Sequence, residues 1–77
     1  MNATIYTTST CPWCVKTKEY LAANGIAYTE VNVSKDKEAA KLMIEKSGQR
    51  GVPVLEVEGN IVIGFDKEKI DELFNLS

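Results

Sequence analysis

The chain has 77 residues, a formal net charge of −2, 44% hydrophobic and 26% charged residues; this size and mix give one small globular domain whose core must be efficiently packed. Lysines interleaved among carboxylates leave no broad basic surface, so nucleic acid and anionic membrane are excluded as expected partners. The N-terminal Met1-Asn2-Ala3-Thr4-Ile5-Tyr6 lacks a basic region followed by an apolar run, and no stretch nears the roughly eighteen apolar residues of a spanning helix, so a cytoplasmic monomer is the expectation.

Ala3 to Thr7 is short and β-prone and runs into the turn-forming Thr8-Ser9-Thr10, which predicts a strand ending there. Directly after it, Cys11-Pro12-Trp13-Cys14 holds the only two cysteines. Proline fits the first helical position, because its φ is already near helical and the N–H it lacks would have gone unpaired. A helix starting at Pro12 aims its first-turn N–H groups and positive dipole end at the Cys11 sulfur, which favours thiolate there. Cys14, one turn inside, is expected to be shielded.

That spacing suits one thiol attacking and the other resolving. A free thiol near pKa 8.5 is about 3% thiolate at pH 7, and a pKa of roughly 6 raises that about thirty-fold. Intrinsic nucleophilicity falls by about ten- to twenty-fold at the same time, so the larger effect is on Cys11 as leaving group and on the stability of the reduced form. Structural zinc asks for four ligands, mostly Cys or His. With no histidine and no third cysteine, a metal would need carboxylates or a second subunit. An intracellular Cys-x-x-Cys beside a βαβ pattern is instead a redox signal, since thiols there are kept reduced and disulfides are transient.

The helix from Pro12 is expected to run to Asn24, with Cys14, Thr17 and Leu21 on its inner face and Asn24-Gly25 as a left-handed stop. Residues 27–33 alternate, Thr29, Val31 and Val33 against Tyr28, Glu30 and Asn32, as a half-buried strand does. Ser34 is the expected N-cap of a second helix, with Asp36 and Glu38 in its first turn and Ala39, Leu42 and Met43 as its apolar face. Lys46 and Gly48 mark its end, and the permissive loop 48–51 returns the chain to the sheet. Residues 54–57 and 61–63 flank Glu58-Gly59-Asn60, a hairpin signal. Asp66 caps a last helix whose inner stripe is Ile70, Leu73 and Phe74, with Phe65 and Ile70 spaced as a hydrophobic staple. The order is βαβαββα: an α/β fold with a four-stranded mixed sheet and helices on both faces.

The chain resembles glutaredoxins and the small thioredoxin-fold redoxins over nearly its whole length. Tyr6-Thr7 before the cysteines, Cys11-Pro12-Trp13-Cys14, Val52-Pro53 and Gly64-Phe65-Asp66 carry the likeness. The resemblance implies that Pro53 is cis and faces the cysteines, turning the Val52 backbone outward to pair with an extended substrate. It also implies a glutathione site. Where glutaredoxins carry a lysine before the first cysteine, a Gln before Val-Pro and Gly-Gly-x-Asp at the last helix, this chain has Thr8, Gln49 and Ile63-Gly64-Phe65-Asp66. Loss of the lysine and the bulk of Ile63 weaken that site. The departures lean toward the NrdH-redoxin-like proteins, which donate electrons to ribonucleotide reductase and are recharged by thioredoxin reductase. Those carry Trp-Ser before Gly-Phe and Arg-Pro after it, where this chain has Val62-Ile63 and Asp66-Lys67.

The expected function is therefore dithiol-disulfide exchange on protein or small-molecule disulfides, with Cys11 attacking, Cys14 resolving, and Pro12 and Trp13 completing the motif. No bound cofactor is required, and the electrons come from glutathione or thioredoxin reductase. A different class, a dimeric module holding metal or an iron–sulfur cluster, is disfavoured by Pro12, since cluster-binding relatives tend to carry glycine there. A third, a redox-inert adaptor, would use Trp13 and Pro53 for binding alone. Exposed Trp13 is read as a substrate contact, Arg50 equally as a charge near Cys11 or a solvated loop residue, and Tyr6, Tyr20 and Tyr28 as packed rings with polar tips at the surface.

Overall fold

The computed structural model describes residues 2–75. Its elements are β1 (Ala3–Thr7), α1 (Pro12–Ala23), β2 (Thr29–Asn32), α2 (Lys37–Ser47), β3 (Val54–Val57), β4 (Asn60–Ile63) and α3 (Lys67–Phe74). The sheet order is β2-β1-β3-β4, with β1 and β2 parallel and the other pairs antiparallel. This is the thioredoxin-like arrangement expected from the sequence. No helix among the described residues is long and apolar enough to cross a membrane.

Strand alternation divides the core in two, because successive side chains of a strand point to opposite faces. Ile5 lies opposite Leu55 and Leu55 opposite Val62; with Ala3 and Val57 they pack against Leu21 of α1 and Ile70 of α3. On the other face Tyr6 and Val54 meet Met43 of α2. The two central strands, β1 and β3, are thus buried on both sides. Thr17 is fully buried yet donates its hydroxyl to the Trp13 carbonyl at 2.8 Å, and Thr7 donates to Glu30 at 2.8 Å. No buried side-chain polar atom among the described residues lacks a partner.

Several boundaries differ from those read in the sequence. The α2 N-cap is Asp36, whose carboxylate accepts from the N–H groups of Glu38 and Ala39 at 3.1 Å. Ser34 is drawn away: its backbone N–H and its hydroxyl both bond Asn32, and its hydroxyl lies 3.2 Å from that of Ser9. Leu42 is 43% exposed, and Ile44 joins Met43 against the sheet in its place. The strand expected over 27–33 is confined to Thr29–Asn32 at the edge of the sheet, with Thr29 and Glu30 exposed. The hairpin turns on Glu58 and Gly59, both at positive φ (48° and 89°), and Asn60 opens β4. Positive φ at both central residues is the geometry whose twist matches a two-residue hairpin. In α3 only Ile70 is fully buried; Leu73 and Phe74 pack half-buried against the core.

Candidate active site

The end of β1, the turn after it and the start of α1 bring the cysteines to one end of the sheet. Cys11 is the N-cap of α1, with extended backbone (φ −132°, ψ 99°), and Pro12 opens the helix. The Cys14 N–H donates to the Cys11 sulfur at 3.1 Å. Serine and aspartate oxygens satisfy the same donor at ordinary N-caps; here a sulfur does so, and any negative charge on it sits at the positive end of the helix. The first turn of α1 contains no acid to oppose that charge. The cysteines are joined as a disulfide with their Cα atoms 5.2 Å apart, inside the range that bridging requires. Cys11 is half-exposed and Cys14 is 1% exposed.

The Val52-Pro53 peptide bond is cis, as the resemblance implies. The Pro53 carbonyl accepts the Gly64 N–H at 2.8 Å, whereas no backbone hydrogen bond among the described residues outside the regular elements uses Val52. Gly64 has φ 73°, a left-handed value that glycine adopts without steric cost. Trp13, Val52, Pro53, Gly64 and Phe65 line an open cleft of about 260 Å³. Trp13 is 56% exposed, and its ring lies 6.4 Å from that of Phe65 and 5.0 Å from the Lys16 ammonium. A larger hollow of about 560 Å³ is lined by residues of α2, β1 and the β2 edge. Neither cysteine lines either hollow; the smaller one is singled out because Trp13 of the cysteine motif and the cis-Pro53 meet in its lining.

Of the residues singled out in the sequence, Cys11, Pro12, Cys14, Thr8, Gln49 and Asp66 lie outside the lining of this cleft. The Gln49 side chain folds its own loop: its amide nitrogen donates to the Gly51 carbonyl at 3.0 Å, and its oxygen accepts the Gly51 N–H. Asp66 caps α3 by accepting the Lys69 N–H at 3.2 Å. Arg50 is exposed and pairs with no carboxylate among the described residues.

One tyrosine departs from expectation, and another meets it with a partner that the sequence did not announce. Tyr6 is 4% exposed and belongs to the core. The Tyr20 hydroxyl donates to Asp71 of α3, which is also paired with Lys67 at 3.0 Å. The hydrogen bonds from Tyr20 and Lys67 hold the Asp71 carboxyl below its ordinary value, and the bond to Asp71 raises the Tyr20 hydroxyl. Nothing local in the sequence pairs residues so far apart.

A disulfide whose first cysteine is a helix N-cap, together with a cis-proline loop on a βαβαββα sheet, defines a thiol-disulfide oxidoreductase of the thioredoxin fold. Within that class the chain belongs to the glutaredoxin family, whose model matches residues 3–62. A glutaredoxin-like 8.6 kDa protein from the rubredoxin operon of Clostridium pasteurianum is 51% identical over 69 residues, spanning 90% of this chain and 92% of its own. A glutaredoxin from Archaeoglobus fulgidus superposes with a TM-score of 0.86 at 30% identity, over 94% of this chain and 84% of that one. The glutaredoxin-like NrdH-redoxin of Escherichia coli superposes with a TM-score of 0.85 at 32% identity, over 95% of each chain.

Proposed function

We propose that this protein reduces disulfides by a dithiol route in which Cys11 attacks and Cys14 resolves. The Cys11 thiolate displaces one sulfur of the substrate disulfide, which leaves as a thiolate and takes up a proton. Cys14, after losing its own proton, then attacks the Cys11 sulfur of the mixed disulfide and expels the second substrate sulfur. Two electrons pass to the substrate, and the protein ends as the Cys11–Cys14 disulfide. The observation that carries this assignment is the asymmetry of the pair: Cys11 is half-exposed and accepts the Cys14 N–H, whereas Cys14 is buried.

Val52 supplies the second element. Its N–H and C=O, unused by neighbouring backbone, suit an extended substrate segment laid across Cys11, the pairing a free strand edge makes. Trp13, Pro53, Gly64 and Phe65 line the cleft with Val52. The protein acts as a monomer in the cytoplasm with no bound cofactor, where the resident thiol pool keeps it reduced.

For the electron source, thioredoxin reductase is favoured over glutathione. The cleft lining contains no cation to meet glutathione's carboxylates, and Thr8 stands where glutaredoxins have lysine. Gln49 and Asp66 are already engaged within the fold. The structure of the NrdH-redoxin from E. coli was described as the basis of a thioredoxin-like activity profile, and the same profile is proposed here, with ribonucleotide reductase as one acceptor. Oxidised protein supplied with NADPH and thioredoxin reductase is expected to consume NADPH. Consumption only with glutathione and glutathione reductase would reverse the choice of donor, and consumption in neither system would remove both.

A further inference from the structure

We propose that Tyr20, Asp71 and Lys67 form a brace between α1 and α3 that sets the separation of Trp13 and Phe65, and with it selectivity for polypeptide disulfides. The proposal rests on the dithiol reading above. Trp13, Lys16 and Tyr20 share one stripe of α1 by helical spacing. Phe65, in the connection between β4 and α3, lies against that stripe: its ring is 6.4 Å from Trp13 and 5.5 Å from Tyr20, edge to face with the latter. The same ring that walls the cleft is therefore seated on Tyr20.

Polar contacts tie Tyr20 to α3 as well. The Tyr20 hydroxyl donates to Oδ1 of Asp71, Lys67 Nζ donates to Oδ2 at 3.0 Å, and Lys67 also lies 5.6 Å from the Tyr20 ring centre. Both carboxylate oxygens are thus used. Tyr20–Asp71 is the only hydrogen bond from α1 to α3 among the described residues. α3 needs such a tie, because it has 8 residues and one fully buried side chain, Ile70, and helices this short are marginal without tertiary contacts. The connection before α3 begins at Gly64, where a Cβ would meet nothing within 4 Å. The Gly64 N–H is tied to the Pro53 carbonyl at 2.8 Å, and beyond that tie the place of Phe65 depends on the Tyr20 ring it packs against.

The brace touches neither cysteine, so these are positioning residues. An extended chain across Cys11 would lie over the joint face that the Trp13 and Phe65 rings make side by side; a small aliphatic disulfide needs only access to the Cys11 sulfur. Loosening the brace should therefore slow the first and leave the second alone.

The test uses pre-reduced full-length protein in stopped flow, with the fluorescence of Trp13, the sole tryptophan, as the signal. Substrates are the oxidised dimer of a short cysteine peptide and bis(2-hydroxyethyl) disulfide. Tyr20→Phe keeps the ring and removes the hydroxyl. It is expected to lower the peptide rate constant about two- to tenfold, the range a lost hydrogen bond supports, to shift Trp13 emission, and to leave the small-disulfide rate unchanged. Asp71→Ala should reproduce this, Asp71→Asn should restore the peptide rate by offering the hydroxyl an amide oxygen, and Tyr20→Phe with Asp71→Ala should be no worse than either alone. If Tyr20→Phe does not fold, Asp71→Ala gives the same contrast without touching α1. Equal losses on both substrates, no loss on either, or additive losses in the double variant overturn the brace. A wild-type protein that reduces neither substrate overturns the dithiol reading itself and the brace with it.

Discussion

The amide of Cys14 donates to the sulfur of Cys11 at 3.1 Å, so the exposed sulfur is also the capping atom of its own helix. Activation and local stability share one contact. Cys11→Ser is expected to abolish disulfide reduction while capping α1 at least as well as the reduced wild type, because serine is a preferred N-cap. Cys11→Ala is expected to abolish reduction and to cost about 1 kcal/mol as well. Urea unfolding of the three reduced proteins checks this; equal stability of the serine and alanine variants would deny the cap.

Cys14→Ser keeps the attacking sulfur and removes the resolving one. Incubated with a peptide disulfide, it is expected to accumulate a covalent adduct on Cys11 that the wild type clears, visible by intact-mass spectrometry. Absence of the adduct would mean that Cys11 is not the attacking residue.

Gly64 tests the backbone of the cleft. At φ 73° with nothing within 4 Å of a built Cβ, Gly64→Ala meets no steric neighbour, and its cost is conformational, about 1 kcal/mol. The denaturation midpoint should fall accordingly. Peptide-disulfide reduction should slow too, because alanine's resistance to φ 73° pulls the N–H of residue 64 off the Pro53 carbonyl it holds.

The Lys18–Glu30–Thr7 cluster carries a pH signature. Hydrogen bonds from Lys18 and then Thr7 lower the Glu30 carboxyl below its usual 4.5. A depressed carboxylate adds stability that is present above the unfolded-state value and is lost as pH falls through the folded one. The stability gap between wild type and Glu30→Gln should thus be full at pH 7 and shrink below about pH 4.3. Exposure of both partners keeps it small. A gap that grows on acidification would contradict this account of Glu30.

Much of the fold was legible because it is written locally. Pro12 after Cys11, Asn24-Gly25 and Asp66 mark helix ends by their own chemistry, and the structure keeps all of them. What was not legible depended on distant partners. Ser34 and Asp36 are both good caps, and the choice fell to Asp36 because Asn32 and Ser9 engage the Ser34 hydroxyl. Leu42, Met43 and Ile44 are consecutive apolar residues, so the phase of α2 was set by where the sheet lies. The Tyr20 tip finds a carboxylate 51 residues away, a pairing that periodicity does not register. At the site, the cysteine pair and the cleft residues Trp13, Val52, Pro53, Gly64 and Phe65 came from motif and resemblance. The internal engagement of Gln49 and Asp66 emerged only from the folded loops.

The most direct test follows alkylation of the reduced protein by iodoacetamide across pH, with each cysteine read separately by peptide mass spectrometry. Activation of Cys11 at the helix N-cap means that it is modified first, with a midpoint well below the free-thiol value of about 8.5, while Cys14 stays protected. Equal reactivity of the two cysteines, with a midpoint near that of a free thiol, would contradict it.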